Sequence, residues 1–426
     1  MTIPKEILKE YGNSRRQFIA SAASVVGTAV ATGLTPRCAE AALPKSKVIK
    51  IGGQGVTSGP LGVNGTYMRQ GAMLAIEEIN ADGGIGGSRL ELEFRDDENK
   101  VDVATKNARY FVDTWGADFL IGIDSSGVAL GLGQIMPEFD KILIVTHGST
   151  SRYNEELVYA KGIRQLFRTS VPLYQDSIAG ALVAKDFPVK RWAGINPDYE
   201  YGYMSWKLFK HTLKKLRPDV EFVEETFAKS GTVDFSSHIA KVMAKEPEAI
   251  FSVEWGGELV ALIKQCKQFG VYGKIKHWMA GMGGTIDVLE GLGKDYPEGL
   301  WGTTRFWFDY PRTAETARFV AAYRKRFAHY PSHNAEGAYA AVRLIKQAVD
   351  KAQTLNTKDL ILAMEGMDLK RPAGPCHIRK EDHQAVYNVP WGQVHHDPAY
   401  PMPVLSNLKL FPASDYYRSP PFSPIV

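Results

Sequence analysis

The feature that most constrains the fold of this chain is a strand–helix alternation that runs through it twice. Short β-branched and apolar runs over 48–52, 90–95, 119–121 and 142–145 have the length and composition of strands. Between them apolar residues recur at helical spacing. Ala72, Ala75, Ile76 and Ile79 fall at i, i+3, i+4 and i+7 and are followed by the stop Asp82-Gly83-Gly84. Further helices are predicted near 101–114 and 127–138. With short connections, such strands must run parallel under helices on both faces. The rhythm restarts after Phe167-Arg168-Thr169, with strands predicted over 191–195, 220–227, 249–253 and 276–279 and helices over 201–216, 235–245 and 257–269. Two rounds imply an α/β protein of two lobes, each built on a doubly wound parallel sheet. Helices over 313–327 and 334–350 follow, the second with Ala338, Ala341, Val342, Ile345 and Val349 as its apolar stripe. The segment 398–426 holds seven prolines and cannot form regular helix, so it is expected to wrap the surface in extended form.

Length and composition agree with this reading. A chain of 426 residues suits two domains, at a prior of roughly 150 residues each. With 44% hydrophobic and 23% charged residues it is not a disordered chain. Its 51 basic and 47 acidic side chains leave a net charge of +4, which gives no electrostatic case for nucleic acid or an anionic membrane as the main partner. Three cysteines are too few for a disulfide scaffold or a four-cysteine zinc site. Cys266 stands at apolar helical spacing with Leu259 and Ile263, the place of a buried structural thiol.

Ahead of the first strand, Asn13-Ser14-Arg15-Arg16-Gln17-Phe18-Ile19 sets two arginines before a small-residue apolar run that ends near Leu34, and Ala39-Glu40-Ala41 offers a cleavage site. The run is too weakly apolar for a membrane span. The pattern resembles a twin-arginine export signal over residues 1–41, against the plainer alternative of an arginine-capped helix within the fold. Pro36-Arg37 before Cys38 makes a poor lipobox. A soluble periplasmic protein beginning near Ala42 is expected, exported by the twin-arginine translocase.

The usual catalytic signatures are missing. Gly53-Gln54-Gly55 opens a dinucleotide fingerprint, but Ser58 stands where its last glycine belongs. There is no phosphate-binding G-x-x-x-x-G-K-[ST], and Gly148-Ser149-Thr150 lacks the closing glycine of a nucleophile elbow. His329 and His333 have ligand spacing, but Pro331 breaks the helix such a pair needs; His395-His396-Asp397 precedes a proline. No catalytic residue, metal or cofactor is assigned. What remains are small hydroxyl residues at the carboxyl ends of two successive strands: Asp124-Ser125-Ser126-Gly127 and His147-Gly148-Ser149-Thr150-Ser151. Open α/β sheets place ligands there. Free N–H groups at helix starts, with hydroxyls beside them, suit a carboxylate without a buried cation, although plain N-capping explains either cluster alone. Tyr199, Tyr201 and Trp255 follow strands of the second round, where aromatic rings clamp a ligand or simply pack.

The mature chain resembles the periplasmic solute-binding proteins of the leucine/isoleucine/valine-binding type. Ser58-Gly59-Pro60-Leu61-Gly62, the stretch from Gly71 to Asn80, and Gly83-Gly84-Ile85-Gly86-Gly87 match the family's opening in order and spacing. Ser125 to Ala129, Ser149-Thr150, Tyr201-Gly202, the stretch from Ile263 to Gly270, Pro297-Glu298-Gly299 and Asp382-His383-Gln384 continue the match. The resemblance implies two lobes joined by three crossover strands, near Arg168, Leu300 and Ala385, closing on a small ligand. Lobe 1 would comprise 47–168 and 301–384, and lobe 2 169–300 and 385–397. Cys266 and Cys376 would lie in different lobes, unpaired. The implied role is delivery of ligand to an inner-membrane ABC permease; a sensory module of the same fold, and an exported enzyme, are the alternatives. Carried over by position, Ser125 or Ser126 with Ser149 and Thr150 would hold a ligand carboxylate, and Tyr201 and Trp255 fall on aromatic positions of the second lobe. Met282 stands where amino-acid binders carry the acid that holds the ammonium. Burying an ammonium without an acid is costly. Either Glu254 takes over, or the ligand is an aromatic or aliphatic carboxylate or an amide, resting on Tyr67, Tyr201, Trp255 and Met282; the second reading is preferred.

Overall fold

The computed structural model describes Pro4, Lys5, Ile7 and residues 47–422. The twin-arginine motif, the apolar run after it, the cleavage site and Cys38 lie outside the described residues.

The first sheet contains β1 (Ile49–Gly55), β2 (Leu90–Asp96), β3 (Phe119–Gly122), β4 (Ile142–Val145) and β5 (Leu166–Arg168), in the order β2-β1-β3-β4-β5 and all parallel. The helices α1 (Gly62–Ala81), α2 (Val101–Arg109) and α3 (Ser126–Ile135) connect these strands. The predicted helix at 101–114 ends early as α2 and continues as a wider π-type turn over Tyr110–Trp115. Strands β3 and β4 are buried along their whole length, which is why they read as unbroken apolar runs rather than alternating ones.

The chain crosses after β5 and builds the second sheet from α4 (Leu173–Ala184), β6 (Arg191–Pro197), α5 (Glu200–Leu216), β7 (Glu221–Ala228), α6 (Ser236–Met243), β8 (Ala249–Ser252), α7 (Gly256–Gln268), β9 (His277–Ala280), α8 (Ile286–Leu292) and β10 (Trp301–Thr303). A second crossing after β10 returns it to α9 (Ala314–Phe327), α10 (His333–Ala352), α11 (Thr357–Met364) and a small antiparallel sheet of β11 (Asp368–Arg371), β12 (Gly374–Ile378) and β13 (Ala385–Val386). Helix α10 lies along α1 so closely that a Cβ on Gly71 would sit 1.9 Å from the Ala335 carbonyl oxygen. The third crossing, after β13, leads to β14 (Pro390–His395) and β15 (Val404–Leu410).

Three features depart from the sequence reading. The second sheet, β15-β14-β10-β9-β8-β6-β7, is mixed, because β14 runs antiparallel to β10 and β15 antiparallel to β14. Trp301–Thr303, assigned to the start of the lobe 1 segment, pairs with β9 in this second sheet. The proline-rich tail does not simply wrap the surface. Its proline-free stretch forms β15, and Phe411, Tyr416 and Tyr417 beyond it are buried in the second core, where the Tyr417 hydroxyl donates to Gln175 Oε1 at 2.8 Å. Prolines at 401, 403 and 412 flank that strand without interrupting its ladder.

Both sheets have a topological switch point, between β1 and β3 in the first and between β6 and β8 in the second. The carboxyl ends of these strands face each other across the cleft between the lobes, which are in contact along it. The Tyr67 hydroxyl on α1 donates to Glu290 Oε2 on α8 at 2.9 Å, and the turn Gly59–Leu61 packs on the start of α7, where a Cβ on Gly257 would meet the Pro60 carbonyl oxygen at 2.3 Å.

Candidate functional site

The cleft holds a narrow cavity lined by Asp124, Ser126, His147, Ser149, Tyr199, Tyr201, Trp255, Met282 and Arg305. Each of these residues lies no more than four positions past the end of a strand: β3, β4, β6, β8, β9 or β10.

On the first lobe, Ser125 is the N-cap of α3, its Oγ accepting the Val128 N–H at 3.2 Å. The plain capping role accounts for this residue, and it does not line the cavity. Ser126 does, and its Oγ also accepts the Thr150 N–H at 3.2 Å, tying the two loops together. Ser149 lines the cavity. Thr150 is fully buried behind it, its carbonyl accepting from Arg168 Nη1 at 2.6 Å. His147 shares a hydrogen bond of 3.0 Å between its Nδ1 and His333 Nε2 on α10. Burial, His333 and Arg305 hold His147 well below the usual histidine range, and burial with Arg305 does the same to His333, so both rings are neutral at pH 7.

On the second lobe, Trp255 is the residue before α7, and its Nε1–H donates to the Tyr199 hydroxyl at 2.8 Å. Tyr201 lies beyond Tyr199, its ring tilted by 33° with centroids 6.4 Å apart, and His147 faces Trp255 at 5.7 Å, so rings from both lobes wall the cavity. Met282 completes this wall.

The expectation of a carboxylate site without a buried cation does not hold. Arg305 is 4% exposed and lines the cavity. Its Nη2 and Nε contact Asp176 Oδ2 at 2.9 and 3.3 Å, and Nη1 donates to the His147 carbonyl at 2.9 Å. Sequence reasoning missed it, although a signal was present. Arg305 is the single charge in the aromatic stretch from Leu300 to Phe308, and a buried arginine must find a partner. Asp124, His147 and Tyr199 lay in the loops singled out but were not chosen.

Two expected ligand residues stand elsewhere. Tyr67 makes the interlobe hydrogen bond to Glu290 and does not line the cavity. Glu254 is fully buried beside Glu258, also outside the cavity lining; burial and then Glu258 push its carboxyl well above the usual range. Asp124, by contrast, does line the cavity. Burial, and after it Asp97, Asp287 and Asp96, raise its carboxyl well above the usual range. Among the described residues no group of three or more histidine, cysteine or acidic side chains is arranged to hold a metal ion, and no helix is long and apolar enough to cross a membrane.

Comparison with known proteins extends over the same residues. A family model described as "Periplasmic binding protein" matches residues 48–398. The Leu/Ile/Val-binding protein homolog 4 of Brucella melitensis is 26% identical over 363 residues, covering 82% of this chain and 84% of that one. A leucine-, isoleucine-, valine-, threonine- and alanine-binding protein of Pseudomonas aeruginosa is 24% identical, covering 76% and 84%. Among solved structures, a solute-binding protein of an ABC transporter from R. palustris in complex with 4-hydroxybenzoate superposes with a TM-score of 0.77 at 20% identity, over 86% of this chain and 97% of that one. A branched-chain amino acid transporter substrate-binding protein from Streptococcus pneumoniae in complex with isoleucine gives 0.75 at 21%, over 86% and 99%. At these identities the solved structures speak for the fold.

Proposed function

The chain belongs to the periplasmic binding protein family, and from that premise we propose that it is the substrate-binding component of an ABC-type importer whose cleft captures a small carboxylate with an aromatic or aliphatic body. The observation that carries this reading is the buried Arg305 on the cavity wall, with Ser149 and the Tyr201 ring nearby, opposite the apolar surface of Tyr199, Trp255 and Met282. A guanidinium with hydroxyl donors around it recognises a carboxylate, and its partner Asp176 compensates its charge while the site is empty. Ser126 orients the Ser149 loop through its bond to Thr150. Benzoates and isoleucine both occur as ligands of similarly folded relatives, so the fold accommodates either body.

In this reading residues 47–168 and the segment from the second crossing to 384 form lobe 1, and 169–300 with 385–397 form lobe 2, which β15 extends. Ligand touching both lobes favours the closed form, and that form docks on the permease. Ser14-Arg15-Arg16-Gln17-Phe18-Ile19 supports export by the twin-arginine route. Replacing Arg15 and Arg16 by lysine should remove the protein from the periplasmic fraction; unchanged export sinks that part.

The test of function is thermal unfolding of the chain from Ala42 against a millimolar panel of amino acids, aromatic and aliphatic carboxylates, and amides. A ligand at 100 times its Kd stabilises by about 2.7 kcal/mol. Carboxylates are expected to raise the midpoint, with the gain lost in Arg305→Lys, whose ammonium cannot reproduce the guanidinium fork. Stabilisation by amides alone, or by carboxylates equally in Arg305→Lys, refutes the reading.

A further inference from the structure

Asp124 is a polar group of the cleft that the carboxylate reading does not use. Asp124 follows β3 and is 4% exposed on the cavity wall. Its Oδ2 accepts the Val56 N–H at 2.9 Å, and its Oδ1 has no hydrogen-bond partner. Capping is not its task, because Ser125 caps α3. Among the described residues no cation pairs with it, and the charged groups that act on it most are Asp97, Asp287 and Asp96. A buried oxygen left without a partner is destabilising, and it persists in a folded protein where something outside the fold satisfies it.

The two charged side chains of the lining have different partners. Arg305 is engaged with Asp176, the His147 carbonyl and Ser170, whereas Asp124 is held by Val56 after β1 and faces the acids of the lobe seam. A ligand whose carboxylate meets Arg305 therefore has a second, unpartnered carboxyl on the same cavity lining. The surroundings of Asp124 are acidic, so they repel a second anion and welcome a hydrogen-bond donor.

We propose that Asp124 is the specificity-determining residue of the cleft, its free Oδ1 pairing with a hydrogen-bond donor that the ligand carries in addition to its carboxylate. This inference rests on the carboxylate reading above. The donor is a hydroxyl, as on a phenol, or an ammonium. The two differ in proton balance. Burial, and after it Asp97, raise the Asp124 carboxyl well above its usual range, and an uncharged hydroxyl does not reverse that shift. An ammonium does, favouring the carboxylate and the release of a proton to solvent.

The test uses isothermal titration with two ligand pairs that differ only in the donor: benzoate with 4-hydroxybenzoate, and 4-methylpentanoate with leucine. In the pair of the right class the donor-bearing member is expected to bind the unmodified protein at least about tenfold more tightly than its partner. In Asp124→Asn, which keeps an acceptor for the Val56 N–H but turns an amide N–H towards the ligand, that ratio is expected to fall below about threefold. Circular dichroism first establishes that Asp124→Asn is folded, and any partial unfolding lowers both members alike, so a change in the ratio reports the contact. A second measurement needs no variant. Titration at pH 7 in two buffers of different ionisation enthalpy should detect proton release with leucine, or none with 4-hydroxybenzoate, whichever is the preferred donor. Equal affinity within both pairs, or a ratio unchanged in Asp124→Asn, overturns the proposal while the carboxylate reading stands. Failure of all four compounds to bind removes the carboxylate reading, and this inference with it.

Discussion

Asp287 offers a quantitative check on how the lobe seam is built. It lies on α8, buried, and neither carboxyl oxygen makes a hydrogen bond of good geometry. Burial, and to a lesser degree Glu290, raise it to about 6 from the usual 3.8, while Thr285 and the backbone work the other way. Asp124 faces it from the first lobe. The folded protein therefore holds a proton that the unfolded chain releases between pH 4 and 6. Folding stability contributed by the neutral acid is complete below pH 4, declines as pH rises through that window, and is gone above about pH 6. A shift of about two units at ~1.4 kcal/mol per unit makes this roughly 3 kcal/mol. An unfolding entropy of about 2.1 cal/mol/K per residue gives a chain of this size ~0.8 kcal/mol per degree, so the effect amounts to about 4 °C in Tm. Asp287→Asn, neutral at every pH, should raise Tm by that amount at pH 7 and leave it nearly unchanged at pH 4. The difference between the two pH values is the readout. It cancels other titrating groups such as His147 and His333, whose depressed values work in the opposite direction as pH falls. Equal shifts of the variant at pH 4 and pH 7 would show that Asp287 does not titrate in this range and that the seam is wetter than its burial indicates.

Other expectations follow from single contacts. Gly71→Ala places a methyl group 1.9 Å from the Ala335 carbonyl and must push α10 off α1, at a cost of about 1–3 kcal/mol read from chemical denaturation. Tyr67→Phe removes the 2.9 Å interlobe hydrogen bond to Glu290, and should loosen closure, weakening ligand binding about five- to tenfold with little change in the stability of the ligand-free protein. Glu336→Gln strips the partner from Arg371, which is fully buried, and should destabilise by about 3–5 kcal/mol by calorimetry, whereas Glu336→Met with Arg371→Met should recover most of the loss. Cys266 and Cys376, both buried and free, should resist a thiol reagent until denaturant is added, and a reducing agent should not move Tm.

Much of the architecture was legible because burial on both faces writes itself into sequence. Ile142–Val145 is four buried apolar residues in a row, and its strand begins and ends where the run does. Helix α4 shows the limit of periodicity. All twelve of its residues are buried, so it has no polar face, and hence no stripe to recognise. The antiparallel strands β14 and β15 were hidden by the prolines around them, which argue against a helix but permit an edge strand. Within the site, Ser126, Ser149, Tyr201 and Trp255, named from strand ends, and Met282, named from the family resemblance, line the cavity. Ser125 and Thr150, their immediate neighbours, face away, a distinction of one residue that strand-end arguments do not resolve.

The charged members of the site were harder to see for a different reason. Arg305 acquires meaning only with Asp176, 129 residues earlier on α4, and no local pattern links the two. Asp124 looked like one more polar residue of a capping loop, and became a functional candidate only once Ser125 was found to cap and its own Oδ1 to be free. Met282 is a case of the same kind, because one position without an acid does not describe the whole cleft. A ligand held between two lobes is approached from both, and an acid missing after β9 is replaceable from the end of β3 on the opposite wall. The presence of Asp124 on that wall means that an apolar Met282 constrains which end of a ligand points where, but leaves open whether the ligand carries a donor. The two ligand pairs that differ only in that donor therefore decide the chemistry that the aligned position left undecided.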